Sequence, residues 1–311
     1  MKNIIITGIG GVGGYFGGVL AKYFQDSGEV EIVFFARGKH LEEIRENGLK
    51  VIKGDREFIA RPSIATDTVT EIGKADFIIL CTKSYDLESV VESLRPCITK
   101  ETILLPLLNG VDSKERISAL LPDNLVLDGC AYIVSRLIQP GVVENSGNIQ
   151  KLFFGLDQEL NDQVRLLERL FKEAHIEALA SSSISSIIWE KFIFISPTAT
   201  ATSYFNNTMG EILADPMKLS IVSTLIEEVI QLAKAKGITV PENMAEITLN
   251  KWKALPYETT SSMHSDFKNK KPNTELESLT GYVIREGERC GLEMACFRSI
   301  YTELLLINSN Y

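Results

Sequence analysis

Close to the N-terminus, Gly8-Ile9-Gly10-Gly11-Val12-Gly13 spaces its glycines as G-x-G-x-x-G. That spacing suits a backbone that turns tightly, approaches an anion and then enters a helix lying close on a strand. Gly8 permits the turn, Gly10 lets the backbone approach a pyrophosphate, and Gly13 lets helix and strand pack closely. Ile9, Gly11 and Val12 complete the loop, whose helix-end amides would meet phosphate charge. The plain alternative is a glycine-rich turn with no ligand. The run Asn3-Ile4-Ile5-Ile6-Thr7 before it reads as a buried strand, which is the context the motif requires.

The residues after the second strand select the nucleotide. Enzymes that use NAD place an acid there to hold the ribose 2′-hydroxyl. Here the strand ends Phe34-Phe35-Ala36-Arg37-Gly38-Lys39, with two bases and no acid. A guanidinium suits a 2′-phosphate, so Arg37 points to NADP (NADPH) rather than NAD. A solvated loop arginine is the other reading. Lys83, after Cys81-Thr82, and Asn109, in Leu108-Asn109-Gly110, close two further strands. Ligands bind at such carboxyl ends, so both are candidate contacts to nicotinamide, ribose or substrate. A solvent-facing lysine and an ordinary Asn-Gly turn remain the alternatives.

These residues need a scaffold, and the first half of the chain supplies one. Strands are expected over Asn3–Thr7, Glu31–Ala36, Asp76–Thr82, Thr102–Leu107 and Leu125–Asp128. Helical stretches lie between them, at Tyr15–Gln25, Leu41–Asn47, Leu87–Leu94 and Asp112–Leu120. Alternating units with continuous apolar strands predict an α/β fold with an N-terminal Rossmann-type doubly wound sheet. From Tyr132 to Leu156 turns at Pro140-Gly141 and Ser146-Gly147-Asn148 suggest antiparallel strands at the edge of that sheet. After Ala180 no strand signal remains, and the rest reads as an all-helical C-terminal domain. Asp215-Pro216 starts a helix, Val222, Leu225, Ile226, Val229, Leu232 and Ala233 form its apolar stripe, and Gly237 stops it. Thr274-Glu275-Leu276-Glu277 reads as a capping box, with Glu277 reaching back to the Thr274 amide, and 296–307 as a last helix.

Composition excludes several classes. The 311 residues carry 45% hydrophobic and 23% charged side chains, which rules out widespread disorder. A net charge of −9 argues against nucleic-acid partners and against anionic membrane surfaces. Met1-Lys2 leads straight into the first strand, so neither a signal peptide nor a membrane span is expected. Five cysteines without CxxC spacing and three histidines without HExxH predict no metal site and a reducing cytoplasm.

With these residues in place the sequence resembles the ketopantoate reductase (2-dehydropantoate 2-reductase) family along essentially its whole length. The likeness rests on the glycine loop, Arg37, Thr82-Lys83 and Asn109-Gly110. Further on it rests on Trp189-Glu190-Lys191 for W-x-K, Gly210-Glu211-Ile212-Leu213 for G-E-L, and Ser261-Ser262-Met263 with Thr274-Glu275. The resemblance implies NADPH-dependent reduction of a 2-keto acid, ketopantoate to pantoate, in pantothenate and coenzyme A biosynthesis. It implies an NADP-binding Rossmann-type domain over 1–180 and a helical substrate and catalytic domain over 181–311. It also implies Lys191 as proton donor, Ser262 on the substrate carboxylate, Glu275 by the nicotinamide end and Asn109 touching both ligands. The residue types fit: hydride addition to a ketone develops an alkoxide, which an ammonium both stabilises and protonates. The other readings are a surface lysine at 191 and a helix-start acid at 275. A homodimer is one assembly left open.

One departure stands out. The family has substrate-binding asparagines one and two turns after the lysine and just before G-E-L, where this chain has Ile195, Ala199 and Met209. Lys191, Ile195 and Ala199 share one helix face, so that face is less polar than the family pattern. Asn206, Asn207, Thr198 and Thr202 are nearby groups that could substitute, and Pro197 is expected to kink the helix. Two alternatives follow: a reductase of a less hydroxylated 2-keto acid, and a non-catalytic NADP-binding sensor.

Overall fold

The computed structural model describes residues 1–308, and the chain divides into two compact units. The first comprises Met1–Leu108 and Asp112–Ile184; the second comprises Asn109–Val111 and the chain from Ser185 onward.

The first unit runs β1 (Lys2–Thr7), α1 (Gly11–Phe24), β2 (Val30–Phe35), α2 (Gly38–Asn47), β3 (Leu49–Lys53), β4 (Arg56–Ala60), β5 (Ile64–Thr66) and β6 (Phe77–Leu80). It continues through α3 (Leu87–Leu94), β7 (Ile103–Pro106), α4 (Ser113–Leu120), β8 (Leu125–Val126) and β9 (Asp128–Tyr132). Then come β10 (Ser135–Gln139), β11 (Val142–Asn145), β12 (Lys151–Gly155), α5 (Asp162–Glu173) and β13 (Glu177–Ser181). The main sheet is parallel, in the order β5-β2-β1-β6-β7-β8. Strand β1 is central, with Ile4, Ile5 and Ile6 fully buried, because both faces of the sheet are covered. Ile4, Ile6, Phe34, Phe77 and Ile79 enter one core, whereas Ile5, Val33, Ile78 and Leu80 enter a second with Leu87 and Val91 of α3 and Ile117 of α4. The order reverses between β1 and β6, and ligands of doubly wound sheets bind at the carboxyl ends flanking such a reversal.

The strands after Tyr132 do not extend the edge of this sheet, as the sequence suggested. Strands β10 and β11 join β3 and β4 in a separate four-stranded sheet, and β9, β12 and β13 make a three-stranded one. The glycines of α1 explain the first of these. A β-carbon at Gly14 would press on Val143, and one at Gly18 on Val51, so the bare face of α1 accepts the second sheet at close range. Gly17 faces Ile6 and Phe34 of the main sheet.

The second unit is helical: α6 (Ile184–Phe205), α7 (Met209–Ala214), α8 (Pro216–Ala235), α9 (Met244–Ala254), α10 (Ser262–Lys268), a π-helical turn at Glu277–Gly281, α11 (Tyr282–Arg289) and α12 (Ala295–Asn308). The Asp215 carboxylate caps α8 on the Met217 and Lys218 amides, the α8 stripe is fully buried, and Gly237 follows its end at φ 74°. Helix α6 stays continuous through Pro197. Nearby, Thr198 Oγ1 donates to Phe194 O at 2.6 Å and Thr202 Oγ1 to Thr198 O at 2.7 Å. The expected box at Thr274 does not form. Glu277 instead takes bonds from Arg285 and Tyr301, while Thr274 Oγ1 accepts the Leu276 amide at 3.4 Å. A charged partner holds a carboxylate better than a lone amide does, so Glu277 turns outward. Among the described residues no helix is long and apolar enough to cross a membrane.

Candidate active site

The glycine loop sits at the reversal point of the main sheet. Gly8 has φ +68°, and a β-carbon there would overlap the Cys81–Thr82 backbone beyond β6. One at Gly13 would overlap the Gly8 carbonyl, so α1 starts hard against β1. At Gly10, by contrast, the nearest heavy atom to an added β-carbon is 4.0 Å away, which leaves room above the loop. No acid occupies the first turn of α1, so the positive helix end is uncompensated. Two hydroxyls flank the loop, Thr7 Oγ1 at the end of β1 and Thr82 Oγ1 after β6; both are buried and neither has a hydrogen-bond partner within the protein. Buried polar groups are normally satisfied. Open space over Gly10, an uncompensated helix start and orphaned hydroxyls together fit a bound dinucleotide.

Arg37 caps α2 in extended backbone, and its side chain is 84% exposed, with only a long 3.4 Å contact to Asp86. Such a surface pair contributes little and leaves the guanidinium able to turn to a phosphate. Lys39 is exposed, while Lys83 is half-buried at the start of the Ser84–Asp86 turn. Cys81 is packed under the loop, and burial pushes its thiol up to about 12, so it is no nucleophile. Sequence reasoning missed His40. Its Nε2 lies 2.6 Å from the Ile9 carbonyl inside the loop, and its Nδ1 accepts the Gly141 amide at 2.9 Å. Burial holds its pKa below the ordinary value, partly opposed by the Ile9 bond.

The remaining candidates belong to the helical unit, with which the Asn109–Val111 segment clusters. Lys191 Nζ donates to Asn109 Oδ1 at 3.2 Å. Trp189 and Phe192 set the rotation of this part of α6. Their rings meet edge-on at 5.5 Å, and Phe192 meets Tyr282 of α11 at 5.7 Å. Ser196 Oγ donates to Leu279 O, Thr200 pairs with Thr280, and Thr202 pairs with Ser261, so three hydroxyls of α6 tie it to other segments. Ser261 also caps α10, which leaves Ser262 exposed at its first position. Glu275 is 2% exposed.

On the Lys191 face, Ile195 is half-buried and Ala199 is buried; Met209 is buried at the start of α7. The polar residues that could replace the missing amides are already engaged. Thr198 and Thr202 bond within α6, Asn206 Oδ1 takes the His264 ring at 2.9 Å, and Asn207 bridges Lys218 and Glu211. Burial and the neighbouring Lys268 hold His264 below its ordinary pKa, with Glu211 opposing them.

The sheet, its glycine loop and the helical unit with its lysine place this chain among the NAD(P)-dependent oxidoreductases. Two family models match it, ketopantoate reductase PanE/ApbA over residues 4–158 and its C-terminal counterpart over residues 183–308. The chain belongs to the ketopantoate reductase family. It is 37% identical to the 2-dehydropantoate 2-reductase of Porphyromonas gingivalis W83, whose crystal structure superposes with a TM-score of 0.86 over 98% of this chain and 99% of that one. It is 29% identical over 303 residues to the uncharacterized oxidoreductase YkpB of Bacillus subtilis strain 168, covering 97% of each chain. It is 27% identical over 302 residues to the 2-dehydropantoate 2-reductase of Halobacterium salinarum, covering 96% of each.

Proposed function

We propose that this chain reduces the keto group of a 2-keto acid with NADPH, and that ketopantoate is the first substrate to test. The observation that carries the reading is the 3.2 Å bond between Lys191 Nζ and Asn109 Oδ1, which holds an ammonium against a side-chain amide. NADPH, when bound, supplies the hydride. The loop from Gly8 to Gly13 would hold its pyrophosphate at the start of α1, through amides other than that of Gly10, which bonds to the Gly8 carbonyl, and Arg37 would neutralise its 2′-phosphate. Lys83, Asn109 and Glu275 serve its ribose and nicotinamide end.

Ser262 takes the substrate carboxylate. As the carbonyl carbon becomes tetrahedral, negative charge grows on its oxygen. The Lys191 ammonium stabilises that charge and then delivers the proton. Asn109 holds Lys191 in place through its amide oxygen. The two units accordingly divide the work into an NADP-binding domain and a substrate and catalytic domain. Oxidation of NADPH against a panel of 2-keto acids, ketopantoate included, tests this reading. No turnover with any of them would remove it.

A second reading concerns the substrate. The apolar Ile195 and Ala199 beside Lys191, the apolar Met209, and the prior engagement of Thr198, Asn206 and Asn207 favour a 2-keto acid with fewer hydroxyls than ketopantoate. A buried hydroxyl without a partner costs about 1–3 kcal/mol.

A further inference from the structure

We propose that His40 is a positioning residue for the nucleotide, clamping the glycine loop in its binding shape only while its imidazole is neutral. The proposal rests on the dinucleotide reading above. Both partners of the ring are backbone groups, so their roles are unambiguous. The Gly141 amide can only donate, so Nδ1 at 2.9 Å must be an acceptor and carries no proton. The Ile9 carbonyl can only accept, so Nε2 at 2.6 Å carries the proton and donates it. One side chain of α2 thereby joins the middle of the loop to the turn between β10 and β11.

Protonation of Nδ1 would set N–H against N–H at Gly141 and break the clamp. The loop side of the ring offers no charge, because residues 8–14 contain no ionisable side chain. The hairpin side offers none within residues 137–143. On α2 itself Lys39 precedes the ring and opposes protonation, while Glu43 lies one turn on and favours it. The Glu43 side chain packs over Gly141, and its carboxylate accepts from Asn47 at 3.0 Å. Burial also disfavours the charged ring. The neutral clamp is therefore complete above the ordinary histidine pKa of about 6.5 and is lost as pH falls through the lower folded-state value.

Loop geometry reaches the nucleotide directly. Ile9 lies between Gly8 and Gly10, and the Gly10 amide bonds back to the Gly8 carbonyl at 2.7 Å, so a shift of the Ile9 carbonyl moves the Ile9–Gly10 peptide and with it the open stretch of loop over Gly10, where the dinucleotide reading places the pyrophosphate. The consequence is an affinity for NADP+ that falls in mild acid, with no effect on the proton donor.

The test is calorimetric titration of NADP+ into the wild-type chain, His40→Gln and His40→Phe between pH 8 and pH 5. The 2′-phosphate titrates in the same range but is common to all three, so the difference between proteins is read. The wild-type dissociation constant is expected to rise about tenfold more than that of either variant on acidification. At pH 8, His40→Gln, which keeps a donor and an acceptor, binds more tightly than His40→Phe. The same pH course in wild type and variants would overturn the proposal. If His40→Phe does not fold by circular dichroism, the wild type against His40→Gln decides it in the same way. Absence of NADP+ binding to the wild type at every pH would instead remove the dinucleotide reading itself.

Discussion

Lys191 Nζ and Asn109 Oδ1 lie 3.2 Å apart although 82 residues separate them, so a side-chain hydrogen bond joins the Asn109 amide to the ammonium on α6. Removal of the ammonium should cost most at the chemical step. Lys191→Ala is expected to lower turnover by about 100-fold or more while leaving the NADPH dissociation constant nearly unchanged, because positioned proton transfer contributes about that much. Asn109→Ala should lower turnover less and also weaken cofactor binding, as the proposal that Asn109 touches both ligands requires. Steady-state kinetics with fluorescence titration of NADPH check both. Near-normal turnover in a folded Lys191→Ala variant would refute the role.

The proposed NADPH preference rests on Arg37, whose exposed side chain has a long 3.4 Å contact to Asp86. One charge-assisted phosphate bond is worth about 1.5–3 kcal/mol. Arg37→Ala is therefore expected to weaken NADPH by about 10- to 100-fold and to leave NADH nearly as before. Equal losses for both nucleotides would show that Arg37 acts on the loop rather than on the 2′-phosphate.

How much of this was legible depends on how local the signal is. The elements around the loop could be read because Ile4-Ile5-Ile6 and Phe77-Ile78-Ile79-Leu80 are continuous apolar runs and the glycines fix the turn between β1 and α1. Strands β3 and β4 carry a short-range signal too, two runs across Gly54-Asp55. What could not be read is that β3 pairs in parallel with β11, some 90 residues later, because nothing local specifies that pairing. His40 is the same case within the site. Its partners lie 31 and 101 residues away, and a lone histidine after a strand announces neither. The Thr274 box failed for a related reason. The pattern was right, but Arg285 and Tyr301 competed for Glu277.

Stability of the helical unit should hinge on Glu228. Its carboxylate is buried on α8 and accepts the Cys296 and Phe297 amides at 2.9 and 3.0 Å, capping α12 from another helix. Glu228→Ala strands both amides and is expected to cost about 2–4 kcal/mol, a fall in melting temperature of about 5–15 °C. Glu228→Gln keeps one acceptor and should lose about half as much. NADPH affinity, read in the same samples, should not move. A melting temperature within 2 °C of wild type for Glu228→Ala, about the shift a 1 kcal/mol loss would give at the least, would show that water replaces the cap.

The substrate question turns on the helix face that carries Lys191. Side chains four apart stack on one face, so Ile195 and Ala199 follow Lys191 along α6, which is continuous through this stretch. Thr198 and Thr202 spend their hydroxyls within the helix, and Thr202 also on Ser261. Asn206 holds His264, and Asn207 holds Glu211 and Lys218. A substrate hydroxyl directed at this face finds methyl and methylene groups, and each unmade buried bond costs about 1–3 kcal/mol. Two such losses, about 2–6 kcal/mol together, would weaken ketopantoate selection by about 30-fold at the least, at about 1.4 kcal/mol per tenfold. The expected result is a specificity constant for 2-ketoisovalerate, which lacks the hydroxyl, equal to or above that for ketopantoate. The double variant Ile195→Asn with Ala199→Asn should then raise kcat/KM for ketopantoate and lower it for 2-ketoisovalerate. Ala199 is buried, so the single change Ile195→Asn, at the half-buried position, is the control against a packing defect and should move selectivity the same way. A strong wild-type preference for ketopantoate would mean that other groups bind the hydroxyl, and the apolar-face argument would fall while the reductase assignment stood.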